Sequence, residues 1–366
     1  MISQTSVSFV PPSSEFLKNA LFEGRREGSG AHSPNAHWLD CYVALREKAK
    51  AHNIIMNTAD LIPPEQADIV VYMLQPTPKE IIEFKRQNPR KKALVILLET
   101  SLGAAYAFDP RNHESFDAVL TYKLRLVDHK KYFPMRPRAY ERSRIRVGKP
   151  FAERRVGCLV GVNRKFRYRS GIMVGRAGWH FSLSHRLDYV FCPGELLTYR
   201  SRVGRLCTQY SPGIFDIYGE GWEIYPETRN RCLGIPKVST IEYIGGYRYY
   251  FAFENHRDEE SLISERIWDS LWGDAVPVYY GNPNLSKYVP KECFIDATDF
   301  ASPSEMLAWL TQASEREWSK YHDAGRAFLY SRAIEPCLPE ARGNDLLEPF
   351  LMLSRTIHEE RCQSST

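Results

Sequence analysis

The sequence predicts an α/β protein of two Rossmann-like domains facing across a cleft. Three observations carry this reading. Short β-branched apolar runs alternate with helical patterns, the mark of parallel, doubly wound sheets. The alternation occurs twice, on either side of a basic, proline-rich stretch at Lys123–Glu153. The chain has 366 residues, enough for about two domains at roughly 150 residues each. The expected limits are residues 1–150 for the first domain with its linker, 151–335 for the second, and 336–366 for a helical tail.

Val7–Val10 is a first strand that stops hard at Pro11-Pro12. Gly24–Pro34 reads as a surface loop. Trp38, Cys41, Leu45 and Ala49 lie at helical spacings between His37 and Ala51. Ile54–Met56, Ile69–Leu74, Leu94–Leu98 and Phe116–Thr121 read as further strands, with a helix over Pro78–Arg86 that has proline in its first turn. Lys123–Glu153 shows no sustained period and reads as the inter-domain linker, or as a long surface loop. Beyond it, Val156–Val162, Phe215–Tyr218, Tyr249–Phe253 and Ala275–Tyr280 are strands, and Glu195–Gln209 and Ser261–Trp272 are helices. In open sheets of this kind ligands bind outside the carboxyl ends of the strands. Two such domains place a site in the cleft.

Composition narrows the function. Hydrophobic residues at 43% and charged residues at 25% exclude a disordered chain. A net charge of +5 fits anionic small molecules and argues against a dedicated nucleic-acid binder. No run approaches the ~20 apolar residues of a membrane span, and Met1-Ile-Ser-Gln lacks the form of a signal peptide. The expectation is a cytoplasmic protein with at most peripheral contact at the inner membrane face. The 8 cysteines are scattered without zinc-ligand spacing and read as reduced core residues.

The informative segment runs from Tyr247 to Gly281. A strand ends in Glu254 and Asn255, a charged loop follows, and a helix starts near Asp258 or Ser261, either of which can cap it. Ile263, Ile267 and Leu271 mark its buried face. Glu265 and Arg266 then lie in its first turns, beside free N–H groups at the positive end of the helix dipole. Arg supplies a fixed bidentate phosphate clamp, and Glu accepts from vicinal hydroxyls. This pairing suits a sugar nucleotide, although pattern alone fits a solvated ion pair on an amphipathic helix as well.

Tyr249-Tyr-Phe-Ala-Phe-Glu-Asn255, Ser264-Glu265-Arg266, Ala275-Val-Pro-Val-Tyr-Tyr-Gly281 and Phe294-Ile-Asp-Ala-Thr-Asp-Phe300 resemble, in order and spacing, the signature of the α-1,3/4-fucosyltransferases, glycosyltransferase family 10. Glu195–Arg200 and Asp216-Ile-Tyr-Gly-Glu-Gly-Trp222 resemble that family's helix and glycine segment. The chain departs from it at Arg266 (family Lys), Ser264 (Thr), Leu262 (Tyr) and His256 (Ser or Thr). The lost Tyr leaves the donor sugar open. The resemblance implies a GT-B fold and an inverting transfer of fucose from GDP-fucose to a hydroxyl of an oligosaccharide acceptor, 1,3 to N-acetylglucosamine. It implies Arg200 and Arg266 on the pyrophosphate, Glu265 at the ribose, and Glu254 and Asn255 in the donor pocket, with no metal and no other cofactor.

A transfer of this kind needs a base for the acceptor hydroxyl. Glu99 ends the apolar strand Leu94–Leu98, and family members carry a Glu at a similar strand end, so Glu99 is the expected base, with Asp117 and Glu114 as competitors. No Asp-x-Asp motif of a metal-dependent transferase and no G-x-G-x-x-G of a dehydrogenase occurs. The alternatives are a GT-B enzyme using another nucleotide sugar and a non-catalytic glycan-binding relative.

Overall fold

A computed structural model describes residues 4–23, 39–98, 105–163, 194–257 and 260–363. Two all-parallel sheets organise them. The first is six-stranded in the order β2-β1-β3-β4-β5-β6. Its strands are β1 Thr5–Val10, β2 Ile54–Thr58, β3 Ile69–Tyr72, β4 Lys92–Ile96, β5 Ala118–Thr121 and β6 Tyr132–Pro134. The second is five-stranded in the order β11-β10-β9-β7-β8. It comprises β7 Arg155–Val160, β8 Phe215–Tyr218, β9 Tyr247–Phe253, β10 Val276–Tyr280 and β11 Ile295–Asp296. Helices of eight residues or more are α1 Asp40–Lys50, α2 Pro78–Gln87, α3 Leu197–Cys207, α4 Glu265–Trp272, α5 Pro303–Gln312, α6 Glu315–Tyr330 and α7 Pro339–Gln363.

The strands form where the apolar runs stand because a parallel strand is covered on both faces. All four residues of β5 and the last four of β4 are buried. Helix α2 begins at a capping box in which Thr77 and Glu80 satisfy each other's backbone N–H groups, with Pro78 already at the required φ.

Three expectations need correction. The Lys123–Glu153 stretch is not simply a linker, because Tyr132–Pro134 adds the sixth strand to the first sheet. An edge strand tolerates the missing N–H of Pro134. The helix of the informative segment starts at Glu265, not near Ser261. Ser261 is drawn to the first domain instead: its hydroxyl donates to Tyr122 O at 2.8 Å and Met135 O at 3.1 Å. The cysteines are not uniformly core residues. Cys41, Cys158, Cys207, Cys293 and Cys337 are buried, Cys232 is half-buried and Cys362 is exposed.

The C-terminal helix α7 returns to the first domain. Leu346, Phe350, Leu353 and Ile357 join Phe9, Tyr42 and Leu45 in one core, and the Phe9 and Phe350 rings stack at 5.9 Å. Among the described residues no helix is long and apolar enough to cross a membrane.

Candidate functional site

The second sheet reverses its winding between neighbours β7 and β9. Such a switch point opens a crevice at the carboxyl ends of the two strands. Residues 161–163 leave β7 there, and Glu254 and Asn255 leave β9. The motif residues therefore stand where the topology alone would place a ligand.

Glu254 is 4% exposed. Its Oε1 accepts the Ser264 N–H at 2.9 Å, and its Oε2 lies 3.7 Å from Arg266 Nη1. Burial pushes the Glu254 carboxyl above the usual range, opposed by the Arg266 charge and the Ser264 hydrogen bond. Gly281 makes this possible, since a Cβ there would lie 2.3 Å from Glu254 Cγ and 2.5 Å from the Tyr279 hydroxyl. Ser264 is the N-cap of α4, its hydroxyl accepting from the Arg266 N–H at 3.4 Å and from Arg266 Nη1 at 3.1 Å. Arg266 Nη1 also lies 3.7 Å from Glu265 Oε1. Glu254, Glu265 and Arg266 thus meet at the first turn of α4.

Asn255 and Arg200 come in from the other side. The chain after β9 pairs with the segment leading into α3, with Leu196 N–H donating to Asn255 O at 3.0 Å and Arg257 N–H to Gly194 O at 2.7 Å. Glu195 caps that helix through the Thr198 N–H at 2.8 Å. Asn255 Oδ1 is buried without a hydrogen-bond partner among the described residues. Arg200 is 4% exposed, unlike its exposed neighbours Arg202 and Arg205. Its Nη2 reaches Val162 O at 3.5 Å, and its guanidinium lies over Gly161 at the end of β7. Gly219, at φ +121°, packs against the same strand end, where a Cβ would meet Gly161 O at 2.3 Å.

Of the base candidates, Glu99 lies outside the described residues. Asp117 and Glu114 precede β5, at the amino edge of the first sheet and away from the cleft. Asp117 Oδ2 is taken by the Ala93 N–H at 2.7 Å and by Lys85 Nζ at 2.8 Å. Leu262, expected only as a lost donor contact, packs against the core of the first domain. Among the described residues no group of His, Cys, Asp and Glu assembles as a metal-ligand set.

Sequence reasoning used Ser264 only as a variant of a family Thr, whereas it caps the helix that carries the site. Tyr140 and Asp269, hydrogen-bonded to each other at 2.8 Å, carry no local pattern at all.

Two parallel Rossmann-like sheets with a crevice at their carboxyl ends define the GT-B class of glycosyltransferase fold. Crystal structures of an α1,3-fucosyltransferase, with GDP and without it, share it, with TM-scores of 0.53 and 0.54 at 12% identity. Each alignment covers 97% of this chain and 90% of the other. Anabaena HepE with UDP and glucose shares it too, with a TM-score of 0.52 at 9% identity over 95% of this chain and 100% of that one. Residues 215–334 match the model of the C-terminal domain of glycosyltransferase family 10 (fucosyltransferase). The α-(1,3)-fucosyltransferases 7 of Bos taurus and Homo sapiens are 36% and 35% identical to this chain over 111 and 125 residues, 28% and 32% of its length. The chain spans about a third, 32%, of the length of each.

Proposed function

We propose that the chain transfers fucose from GDP-fucose to a hydroxyl of an oligosaccharide, with inversion at the anomeric carbon. The observation that carries this reading is the first turn of α4 at the β7/β9 switch point, inside the stretch that matches family 10. There a capped helix N-terminus and Arg266, with Arg200 at the end of β7 across the switch point, offer positive charge to a diphosphate. Glu265, with its side chain 42% exposed, is available to ribose hydroxyls, and the orphaned acceptor of Asn255 suits a sugar hydroxyl.

In the reaction the acceptor oxygen bonds to the anomeric carbon as the bond from that carbon to the diphosphate oxygen breaks. The acceptor proton passes to a base, for which Glu99 remains the proposal, and GDP leaves as the charge grows on its terminal phosphate. The two arginines stabilise that charge in place of a metal. The likeness to HepE, whose structure holds UDP and glucose, supports the second reading, a different nucleotide sugar.

A thermal-shift panel separates the two. GDP and GDP-fucose should raise Tm, with ~2.7 kcal/mol gained at a hundred times Kd, and UDP-sugars should not. GDP release with GDP-fucose and an N-acetylglucosamine-containing acceptor should survive EDTA. Equal shifts with UDP-sugars would sink the donor assignment.

A further inference from the structure

The segment joining the domains is bonded to both of them. Asp40 of α1 receives the Glu141 N–H at 3.4 Å and pairs with Arg144 at 2.7 Å. On the other side Trp272 of α4 donates its indole N–H to Glu141 O at 2.9 Å. Between these contacts Tyr140, 1% exposed, donates its hydroxyl to Asp269 Oδ1 at 2.8 Å and lies 3.4 Å from Glu265 O. Asp269 is also 1% exposed and follows Glu265 by one helical turn. The linker thus grips α4 on the turn behind the diphosphate site.

The charges there do not balance. One guanidinium, Arg266, lies 3.7 Å from each of two carboxylates, Glu254 and Glu265, and Asp269 stands as a third on the next turn. Facing Asp269 from other elements are phenols: Tyr140 from the linker, Tyr250 from β9 and Tyr243 ahead of β9. Helix α6 meets α4 through Gly325 against Leu271. With all three carboxylates ionised the cluster would already be net negative before an anion arrived.

Resting on the reading of Arg266 as the diphosphate clamp, we propose that Asp269, held by Tyr140, is a positioning residue for that clamp, and that the site takes a nucleoside diphosphate with Asp269 protonated. Binding at alkaline pH therefore draws one proton from solvent onto the Asp269 carboxylate. Burial, with the Glu265 charge, lifts the Asp269 carboxyl to about 8, while the Tyr140 hydrogen bond and Arg266 pull it down. Below that value the site is ready. Above it an incoming diphosphate must first see the carboxylate neutralised.

Calorimetry of GDP binding tests this. In the wild type, affinity should fall about tenfold as pH rises through about 8 and beyond, if the diphosphate lifts Asp269 by about one further pKa unit. Heats in buffers of different ionisation enthalpy should show proton uptake. In Asp269→Asn the tyrosine keeps its acceptor, the charge is gone, and that fall should vanish. Any titration of guanine itself is common to both proteins and cancels in the comparison. Tyr140→Phe removes a bond that favours the carboxylate, so its fall should move to higher pH. A wild type without proton uptake, or an Asp269→Asn profile that tracks it, overturns the proposal. If Arg266→Ala binds GDP like the wild type, the clamp itself is wrong. If Arg266→Ala is weak while Asp269→Asn keeps the wild-type profile, only the proton linkage fails.

Discussion

Removing Arg266 is the sharpest probe of the proposed donor site. A hydrogen bond to a charged partner contributes about 1.5–3 kcal/mol, so Arg266→Ala should weaken GDP roughly ten- to hundredfold, since 1.4 kcal/mol is about tenfold. The surroundings push the loss toward the upper end. Arg266 lies 3.7 Å from both Glu254 and Glu265, so its removal leaves those two carboxylates facing the diphosphate without its charge. Glu254, with its side chain 5% exposed, would lose the Arg266 charge and keep its hydrogen bonds from Ser264. Its carboxyl should then titrate higher still, and Tm should fall even without ligand. Arg266→Lys restores the charge without the planar fork and should recover most of the affinity. Calorimetric titration with GDP at about pH 7, paired with thermal unfolding of the free proteins, reads both effects. Arg266→Ala binding GDP within about twofold of wild type would refute the clamp, whatever its Tm.

Three further outcomes are expected. Asp274 is held at about 2 by His322, Arg154 and the Gly148 N–H, against the opposing pull of its own burial. A depressed carboxyl contributes stability that is present above its unfolded value and lost as pH falls, here from about 4 toward about 2, so Asp274→Asn should flatten the acid limb of the stability curve. It should also cost about 3–5 kcal/mol at neutral pH, because it leaves the 5% exposed Arg154 unpaired; an unchanged urea midpoint would contradict this. Gly219→Ala forces a Cβ to 2.3 Å from Gly161 O at φ +121°, which should cost about 1–3 kcal/mol for the backbone strain alone and lower Tm, and a neutral result would mean the β7 end yields freely. Glu99→Gln should lower kcat at least ~100-fold with GDP-fucose affinity near normal, whereas normal turnover would place the base elsewhere.

The strands were legible because parallel strands are covered on both faces and so appear as unbroken apolar runs. Ile69, Val70, Val71, Leu94, Val95 and Ile96 are all fully buried. Tyr132–Pro134 escaped because three residues amid Arg, Lys and Pro carry no period, and only the open edge beside β5 makes them a strand. Helix α4 was placed too early because Ser261 caps as well as Ser264 on paper. The decision came from Tyr122 and Met135, more than a hundred positions upstream, whose carbonyls claim the Ser261 hydroxyl. Arg200, Arg202 and Arg205 look alike in sequence, yet only Arg200 is buried against the end of β7. The 3.6-residue period says which residues share a helix face, and nothing about what that face meets.

The residues of the proposed donor site lie close together in sequence for a further reason. At a topological switch point the residues that leave a strand are also those that reach the ligand. Strand, cap and clamp therefore fall in one run, from Phe253 through Glu254 to Ser264 and Arg266. The grip of Tyr140 on Asp269 obeys no such rule. It joins residues 129 positions apart, and neither is marked by charge pattern or spacing. It exists because the linker must pass behind α4 to reach the second sheet. A buried carboxyl on α4, the helix proposed to bind phosphate, is costly unless something else holds it, and the phenol that holds it belongs to the segment between the two sheets. Packing at the domain junction and charge at the proposed donor site are thus properties of the same eight-residue helix, Glu265–Trp272.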